Sequence, residues 1–78
     1  MKDDYYKVVG SFFKEKRTKK GVSMNDSAIA VNHAKTWYHD VETGKCRIFL
    51  KDTLALCEYF NTNLNELQEY MDKHYYNK

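Results

Sequence analysis

The stretch that decides the fold is NHAKTWYHDVETGKC, residues 32–46. Its centre has helical spacing, but it is too mixed for a fully buried helix and too aromatic, with Trp37 and Tyr38, for a fully solvated one. Gly44 follows the aromatic segment, at the place where a left-handed residue commonly ends a helix. The pattern predicts a helix over about residues 34–43, with one edge in a small core and the other edge open to a partner.

Signals of the same kind divide the rest of the chain into four more helices. There is no proline, there are only three glycines, and no segment alternates apolar and polar residues, so an all-α fold is predicted. Gly21 ends a charged run, Ser23 with Asp26 resembles a capping box, and Asn32 tolerates the left-handed conformation of a tight break. The predicted helices cover about residues 4–20, 24–30, 34–43, 50–60 and 64–75.

Apolar residues at helical spacing supply the predicted core. A chain of 78 residues has room for one domain with a modest core, so such residues are expected to be needed for folding. Gly10 falls inside the first helix, where it costs about 1 kcal/mol relative to alanine unless close packing requires it. The residues predicted to be buried are Tyr6, Val9, Phe13 and the stem of Lys16 or Arg17 in the first helix, Leu50, Leu54, Cys57 and Phe60 in the fourth, and Leu64, Leu67, Tyr70 and Met71 in the fifth.

The composition narrows the function classes. The net charge is only +2, from 13 Lys and Arg against 11 Asp and Glu, but cations are concentrated in residues 14–20 and acids in the last third of the chain. Cys46 and Cys57 lack metal or redox spacing and are predicted to be free thiols. No stretch is long and apolar enough to cross a bilayer, so a soluble cytoplasmic protein is expected.

Catalysis is not predicted. The three histidines, His33, His39 and His74, have no second ligand or nucleophile at a recognised spacing, and there is no glycine-rich phosphate loop. No metal, cofactor or small-molecule substrate is therefore expected.

Four segments, in this order and spacing, resemble the Cro and phage-repressor family of helix-turn-helix regulators, also called Xre-like. They are FFKEKRTKKG at residues 12–21, VSMNDSAIAVN at 22–32, VETGK at 41–45 and LKDTLALCEYFNTNLNEL at 50–67. The resemblance implies a compact five-helix bundle of the lambda-repressor-like type. It also implies a single domain over residues 1–78, with the helix-turn-helix at about residues 23–44 and a C-terminal helix at about residues 64–75.

The same resemblance implies a charge pair between Arg17 and Glu42, the alternative being that both are exposed. The chain departs from the family pattern at four positions. Ser27 replaces a core leucine, Met24 replaces a phosphate-contacting glutamine, Tyr38 replaces an aliphatic core residue, and Asp40 lies where a base-reading residue is common. A larger Tyr38 is expected to fill the volume that Ser27 leaves. Asp40 is repelled by phosphates unless it accepts from a cytosine amine or pairs with a lysine.

On a helical wheel, the third helix turns Tyr38, Val41 and Glu42 inward and a polar set outward. The resemblance implies that this outward set contacts the major groove of a double-stranded DNA operator. The predicted base-reading residues are Lys35, Thr36, His39 and Asp40, and the predicted phosphate contacts are Trp37, Thr43, Lys45 and Arg47. For Trp37, semi-buried packing is an equal alternative.

The expected function is a sequence-specific transcriptional regulator, a repressor or Cro-like switch of a phage or mobile element. One such domain contacts a half-site, so a homodimer is expected, formed through the fifth helix and the terminal tyrosines. Two alternatives remain open. One is a protein-interaction module that keeps the scaffold and has lost operator binding, and the other is an adaptor that docks through EYMDKHYYNK, residues 69–78.

Overall fold

Five α-helices follow one another in the computed structural model, which describes residues 2–76 and side chains from Asp4 onward. The helices are α1 Lys2–Lys20, α2 Met24–Ala30, α3 Lys35–Thr43, α4 Leu50–Tyr59 and α5 Leu64–Met71. Residues 2–76 contain no strand, and the fold measures 33 × 23 × 21 Å along its principal axes. The predicted all-α class is confirmed.

The breaks between helices lie at the residues that the local signals indicate. Gly21 and Gly44 both have φ +78°, and Asn32 has φ +64°, so all three occupy the left-handed region. The Ser23 hydroxyl accepts a hydrogen bond from the Asp26 backbone N–H at 3.0 Å and so caps α2. These turn and cap predictions are confirmed because each depends on residues only a few positions apart.

The core lies where α1, α3 and α4 meet the second half of α2 and the end of α5. Tyr38, Phe13 and Leu56 are its largest fully enclosed side chains. Val9, Val41, Cys57, Phe60 and Met71 complete it, together with Ala28 from α2. In α1, Tyr6 is only half-buried, and Phe12, which the periodicity did not select, is 3% exposed.

The predicted inward face of α4 is wrong in part. Cys57 and Phe60 are buried, but Leu50 and Leu54 are exposed, and the inward face carries Leu56 with two polar residues, Asp52 and Thr53. Both polar side chains are satisfied there: the Asp52 carboxylate accepts from His33 and the Thr53 hydroxyl donates to the Phe49 carbonyl. With these bonds made, burying Asp52 and Thr53 costs little, so the helix can expose its leucines instead.

The last predicted helix, residues 64–75, is regular only to Met71 and then widens into a π-helical turn, Asp72–Tyr76. The wider winding accompanies a return of Tyr75 onto α1, where its ring meets Tyr5 edge to face at 5.2 Å. Met71 is buried as predicted, whereas Leu64 at the start of α5 is 41% exposed and not part of the core.

Candidate nucleic-acid interface

The outward edge of α3 is the candidate site, and its position depends on the opposite edge. Tyr38, Val41 and Glu42 of α3 face inward, where each is less than a tenth exposed. Residues about half a helical turn away lie on the opposite face, so the polar side chains between the inward residues point away from the core. The exposed or partly exposed set is Lys35, Thr36, His39, Asp40 and Thr43, in agreement with the predicted wheel.

An ion pair with α1 holds the C-terminal end of α3. Arg17 Nε donates to Glu42 Oε2 at 2.6 Å and Arg17 Nη2 to Glu42 Oε1 at 3.3 Å, a two-pronged contact. Arg17 Nη1 also donates to the Val22 carbonyl at 3.1 Å, so one guanidinium joins α1, the turn before α2 and α3. The predicted pairing of Arg17 with Glu42 is present.

This pair resolves an unfavourable placement of charge. Glu42 lies in the last turn of α3, where the helix dipole is negative, and its side chain is 2% exposed. A carboxylate in such a position needs a fixed cation to remain ionised. The hydrogen bonds to Glu42 raise the pKa of Arg17 despite partial desolvation, so the guanidinium stays charged at any physiological pH.

Tyr38 and Ser27 lie beside the same pair, both fully buried. Burial, followed by the nearby Glu42 carboxylate, raises the pKa of the Tyr38 phenol far above its usual range. Among the described groups, none meets hydrogen-bond geometry with the Tyr38 hydroxyl. The Ser27 hydroxyl donates to the Ser23 carbonyl at 2.9 Å. The large tyrosine therefore occupies space beside a small serine, and its hydroxyl lies near Glu42 and Ser27 without reaching hydrogen-bond geometry with either.

Glycines let the α3 backbone approach α1 closely. A Cβ placed on Gly10 would overlap the Val41 carbonyl oxygen and would lie 2.5 Å from the Glu42 carbonyl oxygen. At Gly44, a Cβ would lie 2.7 Å from the Lys7 backbone nitrogen. The close packing that would justify Gly10 in a helix is thus present. Gly10 sets how closely α3 approaches α1, and Gly44 allows the same close approach where α3 ends.

A ring stack that the sequence reading missed holds the N-terminal end of α3. The His33 and Trp37 rings lie 3.7 Å apart and nearly parallel, at 10°. His33 Nε2 is 3.0 Å from Asp52 Oδ1, a carboxylate that α4 buries. The spacing of four residues between His33 and Trp37 was an available signal, but the Asp52 partner is nineteen positions from His33. Trp37 is half-buried and packed, which favours its packing alternative.

The side chains of three outward residues, Thr43, Asp40 and His39, already have partners within the helix. The Thr43 hydroxyl donates to the His39 carbonyl at 2.9 Å, so its proton is not free for a phosphate unless that bond breaks. The Asp40 carboxylate lies 3.7 Å from His39 Nδ1, a loose contact. The side chains of Lys35 and Thr36, by contrast, form no hydrogen bond or ion pair with other residues in the described 2–76 range.

The loop after α3 brings cations to the start of α4. Lys45 and Arg47 are exposed there, and no side chain caps the first backbone N–H groups of α4, whose N-cap residue is Phe49. Uncapped N–H groups and the positive end of the helix dipole favour an anion. Lys7, which the sequence reading did not select, is exposed and lies against Gly44.

Cations therefore bracket the outward edge of α3. Lys35 is at its first position and Lys45 is two residues beyond its last, and a nine-residue helix is about 13 Å long. That length is comparable to the width of the DNA major groove, about 12 Å. Chemically, the arrangement offers hydrogen-bond donors in the middle and positive charge at both ends.

Other site classes have less support in the described residues. No three His, Cys, Asp or Glu side chains within residues 2–76 are grouped to hold a metal ion. In the same part of the chain, no helix combines the length and apolarity that membrane crossing needs. Cys46 and Cys57 are free, and burial raises the pKa of both thiols.

Comparison with protein-family models, with curated proteins and with solved structures finds no match for this chain.

Proposed function

We propose that the protein is a sequence-specific double-stranded DNA-binding transcriptional regulator. In this proposal the fold is of the lambda-repressor-like helix-turn-helix type, with α2 as the positioning helix and α3 as the recognition helix. The observation that carries it is the division of α3 into two edges. One edge is locked to α1 by Arg17, Glu42 and Gly10, and the other is polar and exposed.

A locked recognition helix suits base reading because a hydrogen bond to a base edge needs a fixed donor position. Lys35 donates to guanine O6 and N7, and Thr36 offers a methyl group to thymine or a hydroxyl to either base edge. His39 adds a further donor, and Asp40 accepts from a cytosine amine. These roles extend along the edge of α3, so each residue addresses a different base pair.

Phosphate contacts come from the ends of the edge. Lys45 and Arg47 neutralise phosphates beside the uncapped start of α4, and these contacts position the domain without reading sequence. Thr43 joins them if its hydroxyl leaves the His39 carbonyl. Trp37 contributes mainly by packing on His33. In the complex, the edge of its indole ring lies beside the sugar-phosphate backbone of the DNA.

The resemblance to Cro and phage-repressor sequences favours a cytoplasmic repressor or switch of a phage or mobile element. Such regulators commonly bind near their own gene, so the DNA upstream of this gene is the first operator candidate. A mobility shift of that DNA, against a scrambled duplex of equal length, tests the proposal. Equal binding to both duplexes at all salt concentrations would refute sequence-specific regulation.

Variants assign the phosphate roles. Arg47→Ala and Lys45→Ala should weaken binding to operator and scrambled duplex alike and should each lower the salt slope by about one. Lys73→Ala, which removes the same charge from the exposed C-terminal turn, is the matched control and should change neither quantity. If either loop variant changed the preferred operator and kept the full salt slope, the assignment would be wrong.

Variants of α3 assign the base-reading roles. Lys35→Ala should cost about 1 to 3 kcal/mol on the best operator and should relax the preference at one base pair. Asp40→Asn should lose specificity if the carboxylate reads cytosine. If Asp40 only repels the backbone, the amide should instead bind every sequence more tightly.

A second candidate function is a protein-interaction module on the same scaffold. Its supporting observations are the carboxylate of Asp40 on the outward edge of α3 and the exposed leucines of α4. It predicts that neither Lys35→Ala nor Asp40→Asn changes DNA affinity at low salt. The same titrations therefore separate the two functions.

A further inference from the structure

We infer that the outer face of α4 is the surface on which a second copy of this chain docks, with the two α4 helices antiparallel across a two-fold axis near Leu54. This inference goes beyond the proposed function and does not depend on DNA binding. It also moves the expected dimer contact away from the fifth helix and the terminal tyrosines.

The C-terminal residues that the sequence predicts as a dimer contact largely pack within one chain, as far as the described residues extend. Tyr75 packs edge to face on Tyr5, and the Tyr70 ring packs on Phe12 at 5.3 Å. The Tyr70 hydroxyl donates to Glu15, and Met71 is buried. Of the tyrosines in the described range, Tyr76 at 60% exposed is the main one left for a partner.

Apolar surface is concentrated at α4 instead. Phe49 is 73% exposed, Leu50 is 65% exposed and Leu54 is 47% exposed, and all three belong to the N-cap and first turns of one helix. Leu64 of α5 is 41% exposed and lines the same shallow depression as Leu54 and Glu58. Leu50 and Leu54 lie one turn apart on α4 and Leu64 shares the depression with Leu54, an exposed apolar grouping of the kind that marks a protein contact.

The charges beside this patch are self-complementary, and this selects a second copy as the occupant. Lys51 lies three residues before Leu54 and Glu58 lies four residues after it, both exposed and on the same side of α4. Seven residues span about 10 Å of helix, too far for the two to pair within one chain. Neither has a salt bridge in the described part of the chain.

A two-fold axis near Leu54 places Lys51 of one copy opposite Glu58 of the other. In an isologous interface each residue meets its symmetry counterpart, so an antiparallel pair of helices centred near Leu54 brings residues before it opposite residues after it. Lys51 of each copy then faces Glu58 of the other, giving two ion pairs that flank the leucines. A parallel arrangement would place like charges together.

The contact area is that of a helix pair with its flanking side chains, so the dimer should be weak and concentration-dependent. Sedimentation velocity of the full chain without DNA, from micromolar to near-millimolar concentration, measures it directly. The expected result is a reversible monomer–dimer equilibrium. A monomer throughout that range would overturn the inference and would leave the DNA-binding proposal to be judged by its own mobility shifts.

Substitutions locate the interface. Leu54→Asp should weaken association at least about 30-fold, the effect of losing a central apolar contact. Ile29→Asp is the matched control, since Ile29 is a 64% exposed aliphatic residue on α2, and it should change nothing. Circular dichroism should show that both variants keep their helix content. A dimer that tolerates Leu54→Asp but is weakened by Tyr76→Ala would overturn the inference in favour of the C-terminal surface.

A charge exchange tests the antiparallel register. Lys51→Glu and Glu58→Lys should each weaken the dimer by roughly tenfold, because each creates two like-charge contacts. The double variant Lys51→Glu/Glu58→Lys restores opposite charges across the axis and should recover most of the affinity at low salt. Failure of the double variant to recover, with both single variants weakened, would overturn the antiparallel arrangement.

Discussion

Two regions of this molecule distribute polar and apolar groups in opposite ways. At the contact of α1 with α3, charged and polar groups are inside: Arg17, Glu42 and the Tyr38 hydroxyl lie beside close-packed backbone. At the outer face of α4, Leu50 and Leu54 are outside. The first region makes one helix rigid, and the second offers surface that a single chain does not use.

The comparison shows why hydrophobicity alone does not identify a core in so small a protein. A buried charge is tolerated where a fixed partner and hydrogen bonds replace water, as the Arg17 guanidinium does for Glu42. The Val22 carbonyl accepts from the same guanidinium and holds it in place. An exposed leucine is tolerated where its helix is held by other residues, as Leu56 and Cys57 hold α4. Each arrangement therefore depends on partners that are distant in sequence.

The largest expected effect comes from breaking the ion pair. Arg17→Met should lower the free energy of unfolding by about 3 to 5 kcal/mol, because it leaves the buried Glu42 carboxylate without a cation. Chemical denaturation measures the change. The double variant Arg17→Met/Glu42→Leu should recover much of it, because no unpaired charge remains.

The neighbouring Lys16→Met is the matched control for that experiment. Lys16 also forms an ion pair across the chain, with Glu66 at 2.9 Å, but the two side chains are 26% and 46% exposed, against 16% and 2% for Arg17 and Glu42. Its loss should scarcely move the denaturation midpoint, since surface pairs contribute little. Equal losses for Lys16→Met and Arg17→Met would contradict the distinction drawn between the buried and the exposed pair.

The next effect concerns the close approach of α3 to α1. Gly10→Ala should lower the free energy of unfolding by about 1 to 3 kcal/mol through overpacking against the carbonyls of residues 41 and 42. Helix propensity alone predicts that Gly10→Ala raises the free energy of unfolding by about 1 kcal/mol. The sign of the measured change therefore shows whether overpacking or helix propensity dominates.

Gly21→Ala separates packing from backbone strain in that test. No atom lies within 4 Å of a Cβ at Gly21, but its φ is +78°. The substitution should therefore lower the free energy of unfolding only by the cost of placing alanine in the left-handed backbone conformation, about 1 to 2 kcal/mol. If Gly10→Ala stabilised the protein while Gly21→Ala destabilised it, the proposed tight contact would be absent in solution.

A smaller effect, of opposite sign, is expected at Tyr38. Tyr38→Phe removes a buried hydroxyl that lacks a hydrogen-bond partner, so the protein should become more stable by about 1 kcal/mol. Thermal unfolding monitored by circular dichroism checks this. A loss of 1 kcal/mol or more would mean that the hydroxyl bonds to Glu42 or Ser27 in solution.

The smallest effect tests the outer face of α4. Leu54→Ala should change the free energy of unfolding of the monomer by no more than about 0.5 kcal/mol, as for other surface substitutions. Leu56→Ala, two positions along the same helix and fully buried, should cost about 2 to 5 kcal/mol. Dilute samples are needed, so that association does not contribute. A large loss from Leu54→Ala would show that this leucine packs inside.

The sequence by itself determined the helices and the breaks between them. Gly21, Gly44 and Asn32 punctuate the chain because the left-handed backbone conformation that they adopt is a property of single residues. The Ser23 cap likewise lies within three residues of the N–H that it accepts. Arg17 with Glu42 was predictable only through the resemblance, which supplies the long-range information that local pattern lacks.

Only the tertiary structure decided which face of α4 is buried and how both ends of α3 are held. Hydrophobic periodicity predicts which residues share a helix face, but it does not predict which face is buried when polar residues can form hydrogen bonds inside the protein. In α4 the contact with His33 allows Asp52 to be an inward residue. The need for Gly10 depends on the backbone of Val41 and Glu42, which follow it by 31 and 32 positions in the sequence. These features depend on segments that are distant in sequence and close in space, because the free energy of burying a polar group depends on its hydrogen-bond partner.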